Sequence, residues 1–373
     1  MSAGSLPSTS PDPSRTPLPG PLTGLKVVEF AGLGPGPFAA MLLADAGADV
    51  LRIDRPRPPI DIGALTRGRP LHHVDLKSDE GRAEALAIIA RADVLIEGYR
   101  PGVMERLGLG PADAHAVNPR LVYGRMTGWG QDGPRAQQAG HDINYIGLTG
   151  ALRSFARAGE APVPPVNIVA DYGGGGMMLA FGILAALRQE QGQVVDAAMV
   201  DGVGLLMTGL WSRRAQGRWP GEPGRNELDT GAPFYDVYAC ADGEYMAVGS
   251  IEPQFWARLL DGLGLDPADL PDQWDRAQWP EMKKTVAQAF ARRTRAEWTD
   301  VFDPMDACVT PVLGLDEAVA DEHMRSRRSF LDAPDGPQPS PAPRLGRTPF
   351  GVQEPGSPAE TLARWGLPAP TAP

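Results

Sequence analysis

Apolar and polar positions follow an ordered pattern from residue 25 onward. Leu25 to Phe30 is an apolar, β-rich run, Ala31 to Pro37 is a Gly/Pro turn, Phe38 to Ala46 is apolar and helix-forming, and Asp49 to Ile53 is β-rich again. That order predicts a βαβ unit. A helix over Glu80 to Arg91, a strand over Asp93 to Glu97 and another over Leu121 to Met126 continue it. Such alternation implies an α/β fold built on a parallel sheet, with ligands at the carboxyl ends of its strands. Met177 to Leu187 is apolar all round and predicts a buried helix. Gln193 to Val195 and Ala197 to Thr208 repeat the strand and helix.

The pattern then changes. Trp211 to Asp229 is rich in Gly, Arg and Pro and predicts a linker. Phe234 to Ala239 and Glu244 to Val248 flank the turn Ala241-Asp242-Gly243, a hairpin signal, and helices follow over Pro253 to Leu263, Pro280 to Arg292 and Ala296 to Phe302. The expected organisation is a disordered extension over 1–20, a large α/β domain over 21–205, a linker over 206–227, a smaller α/β domain over 228–330, and a Pro-rich segment over 331–373 that either dangles or returns to the large domain.

Composition narrows the class. At 373 residues the chain can bury a large core. Sixteen of its 39 prolines fall in 1–20 and 331–373, so the middle reads as ordinary globular sequence. A net charge of −11 with only four lysines argues against nucleic-acid binding, which needs a basic face. No stretch approaches the run of about 18 to 20 apolar residues that spans a membrane, and the Ser/Pro-rich start has no apolar signal-peptide core. A cytoplasmic protein without membrane partners is expected. Cys240 and Cys308 stand far apart with no CxxC, which argues against a disulfide framework and a zinc site.

Several local features carry candidate chemistry. Gly32-Leu33-Gly34 with Asp54 about 20 residues on resembles a dinucleotide-binding turn, but the third glycine position is Pro37, so a plain βαβ turn is favoured. Residues 52–69 invert the chain's charge: Arg52, Arg55, Arg57, Arg67 and Arg69 face only Asp54 and Asp61, which suits a polyphosphate ligand. His141 lies in Gly140-His141-Asp142-Ile143-Asn144-Tyr145, with no HExxH or HxH pattern to suggest a metal. Asp171 precedes Tyr172 and four glycines, Gly173 to Gly176, that enter the long apolar helix. Backbone amides laid bare there would suit an oxyanion. Glu252, before the helix opened by Pro253, is a poor N-cap and so a candidate functional carboxylate. GxSxG, P-loop and protein-kinase signatures are absent.

These residues, together with Pro21 to Glu29, Gly34 to Pro37, Gly47 to Arg55, Asp75-Leu76-Lys77, Ala92 to Gly102, Gly128 to Gln131, Val195 to Met199 and Gly249 to Phe255, resemble the family III (CaiB/BaiF-type) CoA transferases over about residues 21–350. Within that family the chain is most similar to the α-methylacyl-CoA racemases, through His141 and its neighbours and Glu252. The resemblance implies a large Rossmann-like domain plus a smaller one, in two interlocked chains, with an acyl-CoA substrate and no separate cofactor. It implies that Arg55, Val74, Asp75, Leu76, Lys77, Gly98, Tyr99, Arg100, Arg106, Gly140, Asp142, Ile143, Asn144 and Tyr145 line the CoA site. It casts His141, supported by Glu252, and Asp171 as the two acid/base groups of a racemase acting at the α-carbon of 2-methylacyl-CoA. The alternative is a CoA transferase with Asp171 as nucleophile. Residues 56–71 depart from the family pattern, leaving the 3′-phosphate contacts open.

Overall fold

A computed structural model describes residues 20–55 and 62–368. The expected extension over 1–20 lies outside them except for Gly20, and Arg57 and Asp61 lie in the second gap. The chain runs β1 (Lys26–Phe30), α1 (Pro35–Asp45), β2 (Asp49–Asp54), β3 (Leu71–His73), α2 (Asp79–Ile89), β4 (Val94–Glu97), α3 (Val103–Arg106), α4 (Pro111–Val117) and β5 (Val122–Thr127). It continues through α5 (Asp142–Leu148), a π-helix (Ile168–Gly176) that passes directly into α6 (Met177–Ala186), β6 (Val194–Ala198), α7 (Met199–Leu206) and α8 (Thr208–Ala215).

Six strands pair in the order β3-β2-β1-β4-β5-β6, all in parallel. Their near-continuous apolar runs are what burial on both faces requires. Val27, Val94 and Val122 point into one core with Leu43, Leu179 and Ile183. Val28, Leu95 and Tyr123 point into the other with Ile88 and Ile89. The strand order reverses between β1 and β4, so the crevice beyond their carboxyl ends is where such a sheet binds ligands.

A third core belongs to an antiparallel sheet of β7 (Asp236–Ala239), β8 (Tyr245–Val248) and β9 (Val309–Pro311), packed on α9 (Pro253–Leu263), α10 (Trp279–Phe290) and α11 (Arg295–Phe302). Phe234, Trp256, Trp279, Phe290, Trp298 and Phe302 fill it. After α12 (Leu315–Ala320), α13 (Glu322–Ser326) and the hairpin β10 (Phe330–Ala333) and β11 (Gly336–Pro339), the chain returns to the six-stranded sheet. There α14 (Pro358–Arg364) and its C-cap bury Leu362 and Trp365, and the Trp365 indole N–H donates to Asp49 at 3.0 Å.

Two expectations are corrected. The apolar helix over 177–187 is not buried all round, since Met177, Phe181 and Leu184 are exposed. Joined to the π-helix, it also forms a 19-residue helix, Ile168–Ala186, that is long and apolar enough to cross a membrane by length and composition. Asp171 interrupts the apolar run in sequence, but the helix continues through it. Helix α8 lies within the stretch 206–227 expected as a linker.

Candidate active site

Two adjoining cavities open at the carboxyl ends of the strands. The first, about 470 Å³, is lined by Arg52, Asp54, Arg55, Val74, Asp75, Leu76, Lys77 and Tyr99, with Ala31 to Leu33. The second, about 460 Å³, is lined by Gly32 to Pro37, Gly98 to Pro101, Met126 to Trp129, Gly140, His141, Tyr145, Asp171 and Met199. Gly32, Leu33 and Tyr99 belong to both walls, so the two form one trench across the switch point.

Each wall follows from local sequence. The turn after β1 reaches Gly34 at φ 65°, and α1 begins at Pro35, where a missing N–H costs nothing. The loop after β4 is held from below: Glu97 accepts the Tyr99 amide at 2.7 Å and the Arg125 guanidinium at 2.9 Å, while Arg125 also pairs with Glu105 at 2.8 Å. This Glu97–Arg125 support carries no local sequence signal because its members come from different strands. Burial pushes the Glu97 carboxyl up, against the Tyr99 amide and Arg125.

His141 is the N-cap of α5, and its backbone N–H donates to Asn144 Oδ1 at 3.0 Å. Asp171 enters the same cavity from the π-helix, accepting from Asn167 Nδ2 at 3.1 Å. Burial raises the Asp171 pKa; the Asn167 hydrogen bond lowers it, the Asp142 charge raises it and His141 lowers it. The Tyr145 phenol is pushed up to about 12, chiefly by burial and further by Asp171 and Asp142.

The CoA residues expected from sequence divide. Arg55, Val74, Asp75, Leu76 and Lys77 line the first cavity, Gly98, Arg100, Gly140 and Tyr145 the second, and Tyr99 both. Arg106 lies exposed on α3 and lines neither. Ile143 and Asn144 are exposed outside the walls, and Asp142 is buried beneath them, accepting the amides of Ala170 at 2.6 Å and Asp171 at 2.9 Å. Glu252 is exposed at the N-cap of α9, lines neither cavity, and makes no hydrogen bond to His141.

The arginine window is mostly internal structure. Arg69 Nε lies 2.9 Å from Glu29, with Arg52 3.9 Å from the same carboxylate, and Arg67 donates to Asp45 at 3.1 Å. Of the described arginines in that window, Arg55 and Arg52 reach the cavity. The glycines after Asp171 are corrected as well. They lie inside a continuous helix, whose first amides Asp142 already occupies, so they are not free oxyanion donors. They serve close packing: a β-carbon on Gly174 would stand 2.8 Å from the Val203 amide of α7, and one on Gly176 would stand 2.6 Å from the Phe38 ring of α1.

The six-stranded parallel sheet thus carries a trench at its switch point with His141 and Asp171 lining its second cavity. The model of CoA-transferase family III matches residues 22–360, and the chain belongs to that family. It is 50% identical to the mouse protein named alpha-methylacyl-CoA racemase and 49% identical to the human one, over 88% of this chain and 87% of each relative. A succinyl-CoA–D-citramalate CoA-transferase of Chloroflexus aurantiacus is 28% identical over 90% of both chains. Among solved structures, a CaiB/BaiF family protein from Brucella suis superposes with a TM-score of 0.77, covering 93% of this chain and 99% of that one at 24% identity.

Proposed function

We propose that this chain is a racemase of 2-methylacyl-CoA thioesters, inverting the α-carbon through an enolate. The observation that carries this reading is that His141 and Asp171, from two separate helices, line one cavity. Inversion needs a base on one face of the carbon and an acid on the other, and an imidazole and a carboxyl group supply the pair. Burial favours the neutral form of Asp171, which suits a group that must deliver a proton as well as take one. In one direction the Asp171 carboxylate removes the α-proton and the His141 imidazolium returns one to the opposite face. In the other, neutral His141 removes the proton and the Asp171 carboxylic acid returns one.

The enolate oxygen would be met beside His141. The Asp142 and Ile143 amides, in the first turn of α5, have no acceptor among the described residues. Donors placed where charge develops stabilise the enolate more than the thioester. The CoA portion would lie along the first cavity, with Arg55 and Lys77 meeting its phosphates. The two 50%-range relatives, both named racemases, support the isomerase over the transferase reading. A homodimer is part of the proposal, because Glu252 lines neither cavity of its own chain and would take its part through a second copy. Replacing His141 by Ala, or Asp171 by Asn, should slow α-proton exchange at least about 100-fold, the scale of general acid/base catalysis. Near-full exchange in either variant would remove that residue from the mechanism.

A further inference from the structure

Asp142 is the one charged residue of the His141 stretch whose side chain is buried, at 4% exposure, and it does not line the cavity. Its Oδ2 accepts two backbone amides of the π-helix, Ala170 at 2.6 Å and Asp171 at 2.9 Å. Ala170 is fully buried, so its bond is shielded from competing water. Its second oxygen, Oδ1, is buried without a hydrogen-bond partner. An N-terminal clamp of this kind would be served by a neutral Asn or Ser. A carboxylate with one idle oxygen adds an uncompensated negative charge beside Asp171, at a desolvation cost that the clamp itself does not require.

We propose that Asp142 is a positioning residue for the acid/base pair: the residue covalently next to His141 grips the backbone of Asp171, so one side chain fixes the separation of the two groups across the cavity. The inference rests on the racemase reading above. Two effects are combined in one residue. The hydrogen bonds set where Asp171 stands, and the charge holds its carboxyl nearer to the protonated state that donation requires, in the direction found for Asp171. The other groups around Asp171 do not duplicate that charge. From α5 come His141 and Tyr145, and the α1 turn presents Gly34 and Pro35. Arg125 of β5 is taken by Glu97 and Glu105, Asp196 of β6 accepts the Gln131 amide, Asp45 of α1 pairs with Arg67, and Asp201 of α7 is exposed.

The test compares Asp142→Ala with Asp142→Asn in α-deuterium exchange of 2-methylacyl-CoA across pH. The alanine variant should lose 10- to 100-fold in kcat with KM for the thioester held within about twofold. Asparagine keeps an acceptor for both amides and should recover most of kcat, but with the Asp171 limb of the pH profile moved to lower pH. Full kcat in Asp142→Ala would overturn the proposal. Equal losses in both variants with an unmoved limb would also overturn it, since that is what a merely structural residue gives. If the alanine variant does not fold, the limb shift in Asp142→Asn decides alone. Asp171→Asn is the parallel control: if it exchanges at the full rate, the racemase assignment of Asp171 fails, and the Asp142 proposal fails with it for a separately visible reason.

Discussion

A β-carbon placed on Gly34 would stand 3.2 Å from Asp171 Oδ2, so the turn that opens α1 and the carboxylate that faces the cavity are built against each other. Gly34 also holds a positive φ of 65°. Gly34→Ala therefore meets backbone strain of about 1–3 kcal/mol and displaces the carboxylate by a few tenths of an ångström. It should lower both Tm and kcat, with KM for acyl-CoA little changed. Thermal melts alongside steady-state kinetics check this, and an unchanged kcat would mean that Asp171 tolerates movement.

Two arginines of one window separate by role. Arg55 faces the first cavity, whereas Arg67 is paired with buried Asp45. Arg55→Ala should raise KM about tenfold or more, the worth of a hydrogen bond to a charged group, with kcat and Tm held. Arg67→Ala leaves Asp45 unpaired and should cost about 3–5 kcal/mol of stability, read from denaturant midpoints, without a specific effect on KM.

Asp171 exacts a stability cost for its position. Burial raises its folded-state pKa, so its contribution to stability is full below the ordinary aspartate value and is lost as pH rises through the raised value. Asp171→Asn keeps the shape and removes the desolvated charge. The variant should melt higher than the parent at neutral pH, and the difference should vanish in acid below the ordinary aspartate range. A lower Tm at neutral pH would show that the carboxylate is stabilised in place.

Glu252 gives a test of the proposed dimer. Because it reaches neither cavity in its own chain, His141→Ala and Glu252→Ala homodimers should both be impaired, and refolding the two together should restore activity through sites that hold one intact copy of each residue. No recovery, with hybrids confirmed by native mass spectrometry, would place Glu252 outside the mechanism.

The alternation of apolar runs and turns made the parallel sheet legible, because strands buried on both faces leave long apolar stretches. The three-residue strands β3 and β9 escaped, being too short to show a period. Long-range pairing was not legible: nothing near Arg67 or Arg69 points to Asp45 or Glu29, so the window read as a free phosphate site. Gly173 to Gly176 look the same in sequence whether a ligand or a helix approaches them. The structure places α7 and α1 there. His141 and Asp171 were legible as candidates, yet the Asp142 bridge between them was not, since it joins segments 28 and 29 residues apart.

Incubating a single isomer of a 2-methylacyl-CoA with the protein in heavy water, with no added carboxylic acid, separates racemisation from CoA transfer. Racemisation puts deuterium at the α-carbon together with loss of optical purity. Absence of both, accompanied by thioester exchange only when an acceptor acid is added, would contradict it and assign Asp171 to CoA transfer instead.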